Sequence, residues 1–261
     1  MVVVYLGALT VLFMSAFWRV DPLTSTIQRH WGLQNFQAML HDPVYRKIAV
    51  RTVGISAAVT VTDIALAFPL AYYAARIAGE RARATILIAV VLPLWSSYLV
   101  RVFAWRTILE GDGPADWVFK HVLHVGTHLG FTNWAVYITF CYLWLPFVTL
   151  PIYAALERIP RSYLEASGDL GAKGWTTFRR VILPLALPGL VAGSIFAFSL
   201  TLGDYITPEL VGNTQFIGTV VHSFSGVAND VPFAAAYALV PAVIMAIYLL
   251  GARRLGAFEA L

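Results

Sequence analysis

The chain has 261 residues, of which 59% are hydrophobic and only 12% charged, with a formal net charge of +4. A soluble domain carries about 25% charged residues; here the apolar residues come in blocks long enough to cross a bilayer, which excludes an ordinary soluble protein and predicts an all-α polytopic membrane protein. A single cysteine, Cys141, excludes an intrachain disulfide.

Six apolar blocks are predicted as spans: residues 2–18, 53–77, 84–102, 134–156, 185–202 and 234–250. Each approaches the roughly 17–25 residues a helix needs to cross the hydrocarbon core, and in lipid only helices and closed barrels satisfy their backbone groups. No soluble domain or repeat interrupts them, so residues 1–261 are read as a single transmembrane domain. The first block is short, has no basic residue before it and lacks a small-x-small cleavage site. It does not read as a cleaved signal peptide, and a longer native N-terminus is expected.

With six spans, both termini share one side. Arg76, Arg81, Arg83, Arg158, Arg161, Lys173, Arg179, Arg180, Arg253 and Arg254 lie on that side in short segments, while the other eight basic residues are spread through longer loops. The first side is therefore expected to be cytoplasmic, both termini included. The positive charge is this topology signal, and no nucleic-acid partner is expected. Pro69, Pro93, Pro146, Pro151, Pro188 and Pro241 fall within the spans or at their edges, where membrane helices tolerate proline at the cost of a kink. In an outer loop, His121, His124 and His128 stand at i, i+3 and i+7. Three imidazoles on one face could hold a transition metal, but an exposed surface helix accounts for them and no metal site is assigned.

Between the fourth and fifth blocks lies a polar insert, residues 157–184. Pro160 and Ser162 open a helix, Ser162 and Glu165 have capping-box spacing, and Gly171 can end it in a left-handed turn. Lys173 to Leu183 reads as a second helix, and Pro184 as the return to the membrane. The expected element is a helix–turn–helix lying parallel to the bilayer surface. Ala166, Ser167 and Gly168 give its first helix a low-profile face. On these residues alone, a knob for a partner's groove and an ordinary interfacial helix both remain open.

The insert resembles the E-A-A---G---------I-x-L-P signature of the permeases of ATP-binding-cassette (ABC) importers. Glu165-Ala166-Ser167 is followed by Gly171 and then by Val181-Ile182-Leu183-Pro184. Ser167 stands where the family has its second Ala, and Val181 where it has Ile. Residues 36–56, 92–109 and 199–213 look like those of the spermidine/putrescine class, so the resemblance covers nearly the whole chain. It implies the type I importer permease fold, with residues 157–184 as the coupling loop that docks into a groove of an ATPase subunit. Glu165, Ala166, Ser167, Gly171 and Pro184 are the positions carried over. It further implies a second homologous permease, ATPase subunits, an extracytoplasmic solute-binding protein and a bacterial cytoplasmic membrane. The ligand is less closely implied: polyamine leads, and relatives are known for thiamine, iron, opines and phosphonates. The chain has no G-x-x-x-x-G-K-[ST], so it is expected to bind no cofactor itself, with ATP and Mg used by the partner ATPase.

Ionisable residues at membrane depth are candidates for the solute path. Asp63 lies inside the second block; Asp204 and Glu209 flank the end of the fifth, where Gly203 and Pro208 predict a break. With Tyr205, Trp95, Tyr98 and Trp105 they would suit an organic polycation, each ring adding about 0.5–2 kcal/mol of cation–π attraction. The rings equally fit an interfacial belt, and Arg101 and Arg106 could pair with the acids. An ion-coupled secondary transporter would use Asp63 and Asp204 as ion sites but leaves the docking insert unexplained. A membrane enzyme lacks a spaced catalytic set such as H-E-x-x-H or G-x-S-x-G.

Overall fold

The computed structural model describes residues 2–21, 24, 26–111, 113–121 and 129–254. The helices in chain order are α1 (Val2–Ser15), α2 (Gln34–His41), α3 (Pro43–Tyr72), α4 (Glu80–Val91), α5 (Tyr98–Leu109), α6 (Pro114–His121), α7 (Asn133–Glu157), α8 (Arg161–Asp169), α9 (Gly174–Thr177), α10 (Leu183–Gly203), α11 (Ile217–Ser225) and α12 (Val231–Arg254). A two-residue antiparallel ribbon, β1 (Arg19–Val20) against β2 (Ile27–Gln28), sits between α1 and α2.

The all-α architecture is the expected one, but two of the six predicted spans differ. Among the described residues, four stretches are long and apolar enough to cross a membrane: Pro43–Ile77, Asn133–Glu157, Gly174–Gly203 and Val231–Arg253. The predicted span 84–102 is a broken pair, Glu80–Trp95 and Tyr98–Val118, bent by 97°. Pro93 turns the end of α4 into a 3₁₀ turn, Leu92–Trp95, and Ser96 and Ser97 are extended, because proline cannot donate the next helical hydrogen bond. The first predicted span is the 14-residue α1; at about 1.5 Å per residue it reaches ~21 Å, short of a ~30 Å hydrocarbon core. Pro69, Pro146, Pro151, Pro188 and Pro241 lie inside their helices. The second span starts ten residues before its apolar block. Asp42 caps α3 by accepting from the Val44 amide at 2.8 Å, with Pro43 in the first turn. Hydropathy marks what dissolves in lipid, whereas caps mark where a helix begins.

The core is the packing of α3, α7 and α10. Val59 and Ala67 of α3, Phe140, Leu143, Val148 and Ile152 of α7, and Ala186 and Ala197 of α10 are fully buried there. Gly189 and Gly193 let the α10 backbone approach α7: a Cβ at Gly189 would lie 2.6 Å from the Pro151 carbonyl oxygen, and one at Gly193 3.0 Å from that of Val148. Small residues at i, i+4 are how membrane helices gain contact where lipid competes equally for apolar surface. The buried face of α3 also carries Thr52, Ser56, Thr60 and Asp63. Thr52 and Thr60 donate to the carbonyls of Ile48 and Ser56, four residues back, which keeps them satisfied in an apolar setting. A second cluster joins α10, α11 and α12 through Phe198, Leu202, Ile217, Val220, Phe233 and Tyr237.

Candidate functional site

Two places carry chemistry: the insert after α7 and the corner after α10.

In the insert, α8 starts at Arg161 with Pro160 at its N-cap and no side-chain cap. Ser162 is already helical, so the expected Ser162–Glu165 capping box does not form, and Glu165 is free and exposed on the helix surface. The far end is as the glycine predicts. Gly171 has φ +75°, its amide donates to Gly168 O at 2.8 Å, and the Ala172 amide donates to Ser167 O at 3.1 Å. These paired bonds are a Schellman motif, which satisfies the last carbonyls of α8 and needs a left-handed residue. Ser167 Oγ and Thr177 Oγ1 are 2.9 Å apart, tying α8 to α9.

The second half of the insert differs from expectation. Lys173 to Leu183 is not a separate helix, and the chain does not change direction at Pro184. Helix α9 passes through a π-turn, Phe178–Ile182, directly into α10, so Gly174–Gly203 is one continuous shaft. The Leu183 amide bonds to Phe178 O, five residues back; widening the turn just before Pro184 accommodates the donor that proline lacks. Ala166, Gly168 and Gly171 are exposed and Ser167 is half-buried. Leu170 at 88% and Trp175 at 69% are among the most exposed large apolar side chains. Between α8 and the start of the shaft lies a concave face of about 770 Å³, lined by Tyr163, Ala166, Ser167, Leu170, Lys173 and Arg180. An exposed apolar surface with small residues at its floor is what a protein partner covers.

At the other end of the shaft, Asp204 closes α10. Its Oδ1 accepts from the amides of Ile206 at 2.8 Å and Thr207 at 3.3 Å. Its Oδ2 accepts from Thr207 Oγ1 at 2.9 Å and from Tyr98 Oη. Tyr98 Oη also lies 2.7 Å from Thr207 Oγ1, and its ring stacks on Trp144 with centroids 6.0 Å apart. The carboxylate therefore holds the bend between α10 and the segment ending in the π-turn Pro208–Gly212, and pins it to α5.

Of the predicted path residues, the fold joins only Tyr98 and Asp204. Glu209 is exposed in the π-turn. Tyr205 stacks on His222 of α11, centroids 4.3 Å apart. Trp95 is 85% exposed at the α4–α5 bend, and Trp105 packs on Tyr142 at 5.2 Å. Asp63 is fully buried, facing Cys141 of α7, and neither of its oxygens has a hydrogen-bond partner among the described residues. Among those residues no ion pair joins Arg101 or Arg106 to the acids; Arg106 lies over Phe131, 5.6 Å from its centroid. Thr207 and Trp144 were not foreseen. The spacing Asp204-x-x-Thr207, an acidic cap before a new helical turn, was the available signal. No cluster of three metal-ligating side chains occurs among the described residues, and His124 and His128 lie outside them.

A helical membrane bundle with an exposed, partner-ready loop defines a subunit of a multi-pass membrane assembly. Residues 52–257 match the family described as "Binding-protein-dependent transport system inner membrane component", and the chain belongs to that family. It is thus a permease subunit of an ABC-type importer and a multi-pass inner-membrane protein. The chain is 44% identical over 273 residues to the inner membrane ABC transporter permease protein YdcU of Escherichia coli (strain K12), covering 99% of this chain and 87% of that one. It is 28% identical over 251 residues to the spermidine/putrescine transport system permease protein PotB of the same strain, covering 95% and 90%. A bacterial ABC transporter involved in the import of the acidic polysaccharide alginate has a chain of the same fold, with TM-score 0.75 over 96% of this chain and 88% of that one, at 16% identity.

Proposed function

We propose that this permease subunit carries a small organic polycation of the polyamine type inward, working with ATPase subunits, a second homologous permease and an extracytoplasmic solute-binding protein. The observation that carries the mechanism is the exposed α8 and its Schellman turn at the foot of an unbroken helix that ends at Asp204. In this reading residues 157–184 dock on the ATPase, which uses ATP and Mg, and Glu165, Ala166, Ser167 and Gly171 form the contact. Both termini and the docking loop are cytoplasmic, in keeping with the ten basic residues on that side. Closure of the ATPase on ATP shifts the population between inward- and outward-facing states, because the two states differ in affinity for nucleotide.

The polyamine assignment draws on the similarity to the spermidine/putrescine permease over 95% of this chain. It also draws on the joined pair Tyr98 and Asp204 at the corner, with Tyr205 and Glu209 in the segment that follows. Since Asp204 is engaged as a cap, Glu209 is the acid free to meet a cation there, and strong selectivity is assigned to the solute-binding protein. The test is uptake in proteoliposomes holding the complete complex, with labelled putrescine and spermidine and with thiamine and 2-aminoethylphosphonate as controls. ATP-dependent polyamine accumulation is expected. ATP-dependent uptake of a control alone would replace the ligand, and uptake that ignores ATP in a hydrolysing complex would overturn the mechanism.

A further inference from the structure

The foot of the docking loop is bolted to α3. Arg76 lies in the π-turn Tyr73–Ile77 that ends the second span. Its Nη2 donates to Leu156 O at 2.5 Å and to Ile159 O at 2.6 Å. Leu156 belongs to the last turn of α7, where its carbonyl also accepts from the Ile159 amide at 3.4 Å, and Ile159 lies two residues past the helix end; a cation is favoured there by the helix dipole. From α4, Arg83 forms an ion pair with Glu157 and lies 5.4 Å from the Tyr153 ring centroid. Pro160 and α8 follow at once.

Towards the start of α3, about two turns in from Pro43, a second arginine is fastened in the same way. Some ~38 Å from Arg76 at the α-helical rise, Arg51 donates to Gln215 O, and its guanidinium lies 5.8 Å from the Phe216 centroid. The adjoining Thr52 Oγ1 accepts from the Ile217 amide, the first of α11, at 3.1 Å. Between the two latches the chain is helical throughout, with Pro69 inside α3 and the π-turn Tyr73–Ile77 carrying Arg76 at its end, and α3 is buried against α7 and α10.

We infer that α3 is the rod that carries movement of the docking loop to the α11 corner, with Arg76 and Arg51 as the positioning residues that latch it at two points. This rests on residues 157–184 being the ATPase-docking loop. A second route exists, since the α9–α10 shaft also leaves the loop and ends at Asp204, so the inference is that the α11 response travels through α3. An arginine is required at 76 because a planar guanidinium can hold neighbouring carbonyls in fixed geometry, which a lysine ammonium does not.

The test is hydrogen exchange on the complete complex in nanodiscs, nucleotide-free against ATP with vanadate, a readout that needs no knowledge of the solute. In the wild type, exchange in both α8 and α11 is expected to respond to nucleotide. In Arg76→Ala and Arg51→Ala the α8 response persists and the α11 response is lost, with Arg76→Lys intermediate. An α11 response of wild-type size in Arg51→Ala, or in any assembled Arg76 variant, would overturn the rod and assign the signal to the α9–α10 shaft. A wild-type α8 that ignores nucleotide in a hydrolysing complex would overturn the docking reading itself, and the rod with it. Arg51→Ala and Arg76→Lys leave the foot of the loop intact or nearly so and keep the test decisive if Arg76→Ala does not assemble.

Discussion

The close approach of α10 to α7 makes a sharp prediction at Gly189. An alanine there would place its methyl 2.5 Å from Ala155 Cβ and 2.6 Å from the Pro151 carbonyl oxygen. Carbon atoms pack best at about 3.5–4.0 Å, so α7 and α10 would have to part by roughly 1 Å, and a gap of that size forfeits about a quarter to a half of each dispersion contact along it. Overpacking of this kind costs about 1–3 kcal/mol. Replacing a mid-helix glycine by alanine also returns up to about 1 kcal/mol in helix propensity, so the substitution needs a reference. Gly54 supplies it: it is exposed, in the middle of α3, and a Cβ there meets nothing within 4 Å. Gly54→Ala is expected to be neutral or stabilising, and Gly189→Ala to fall about 1–3 kcal/mol below it. Both are measured by unfolding in mixed micelles of increasing dodecyl sulfate content, followed by the fluorescence of the eight tryptophans. Equal stability of the two variants would refute the close approach of α10 to α7.

The docking loop, the α10 corner and the buried acid each give a further expectation. Glu165→Ala and Gly171→Pro should lower ATP-dependent uptake while leaving membrane insertion intact; Gly171→Ala should do so mildly, since a left-handed L-residue costs about 1–2 kcal/mol. Uptake and ATP consumption measured together in proteoliposomes check this, and normal uptake in both severe variants would refute a coupling role. Tyr98→Phe removes one donor from the Asp204 carboxylate and should destabilise the corner by about 1.5–3 kcal/mol, the range for hydrogen bonds to charged groups, read by the same micelle unfolding. In a Cys141→Ser background, Trp95→Cys should react quickly with N-ethylmaleimide and Asp63→Cys should be protected, given exposures of 85% and 0%. Equal rates would place Asp63 on an open path after all.

Much of this protein is legible in its sequence because membrane helices are decided locally. Lipid leaves the backbone no partner but itself, so an apolar block of sufficient length is helical, although Pro93 breaks one of them into two helices. The Asp42–Pro43 cap and the Gly171 turn are equally local, each closing hydrogen bonds within a few residues. Local signals mislead where two compete. Ser162 has the spacing of a cap, yet Pro160 starts α8 earlier, and Lys173 to Leu183 reads as a helix of its own, yet the π-turn before Pro184 carries α9 straight into α10. Pro93 shows the reverse: the same residue type does end a helix where a 3₁₀ turn and two extended serines follow.

The sequence by itself determined an all-helical membrane bundle and an exposed polar loop with a glycine turn. Only the tertiary structure decided what the polar residues do. Tyr98 and Asp204 are 106 residues apart, Arg76 and Leu156 80 apart, and Thr52 and Ile217 165 apart. It turned Asp204 from a free acid into a cap, buried Asp63 between α3 and α7, and set Arg76 and Arg51 against the carbonyls of distant segments. The reason is physical: most buried polar groups find their partner wherever the packing brings one, and the packing is set by contacts far apart in the chain, such as the glycines of α10 that let it approach α7.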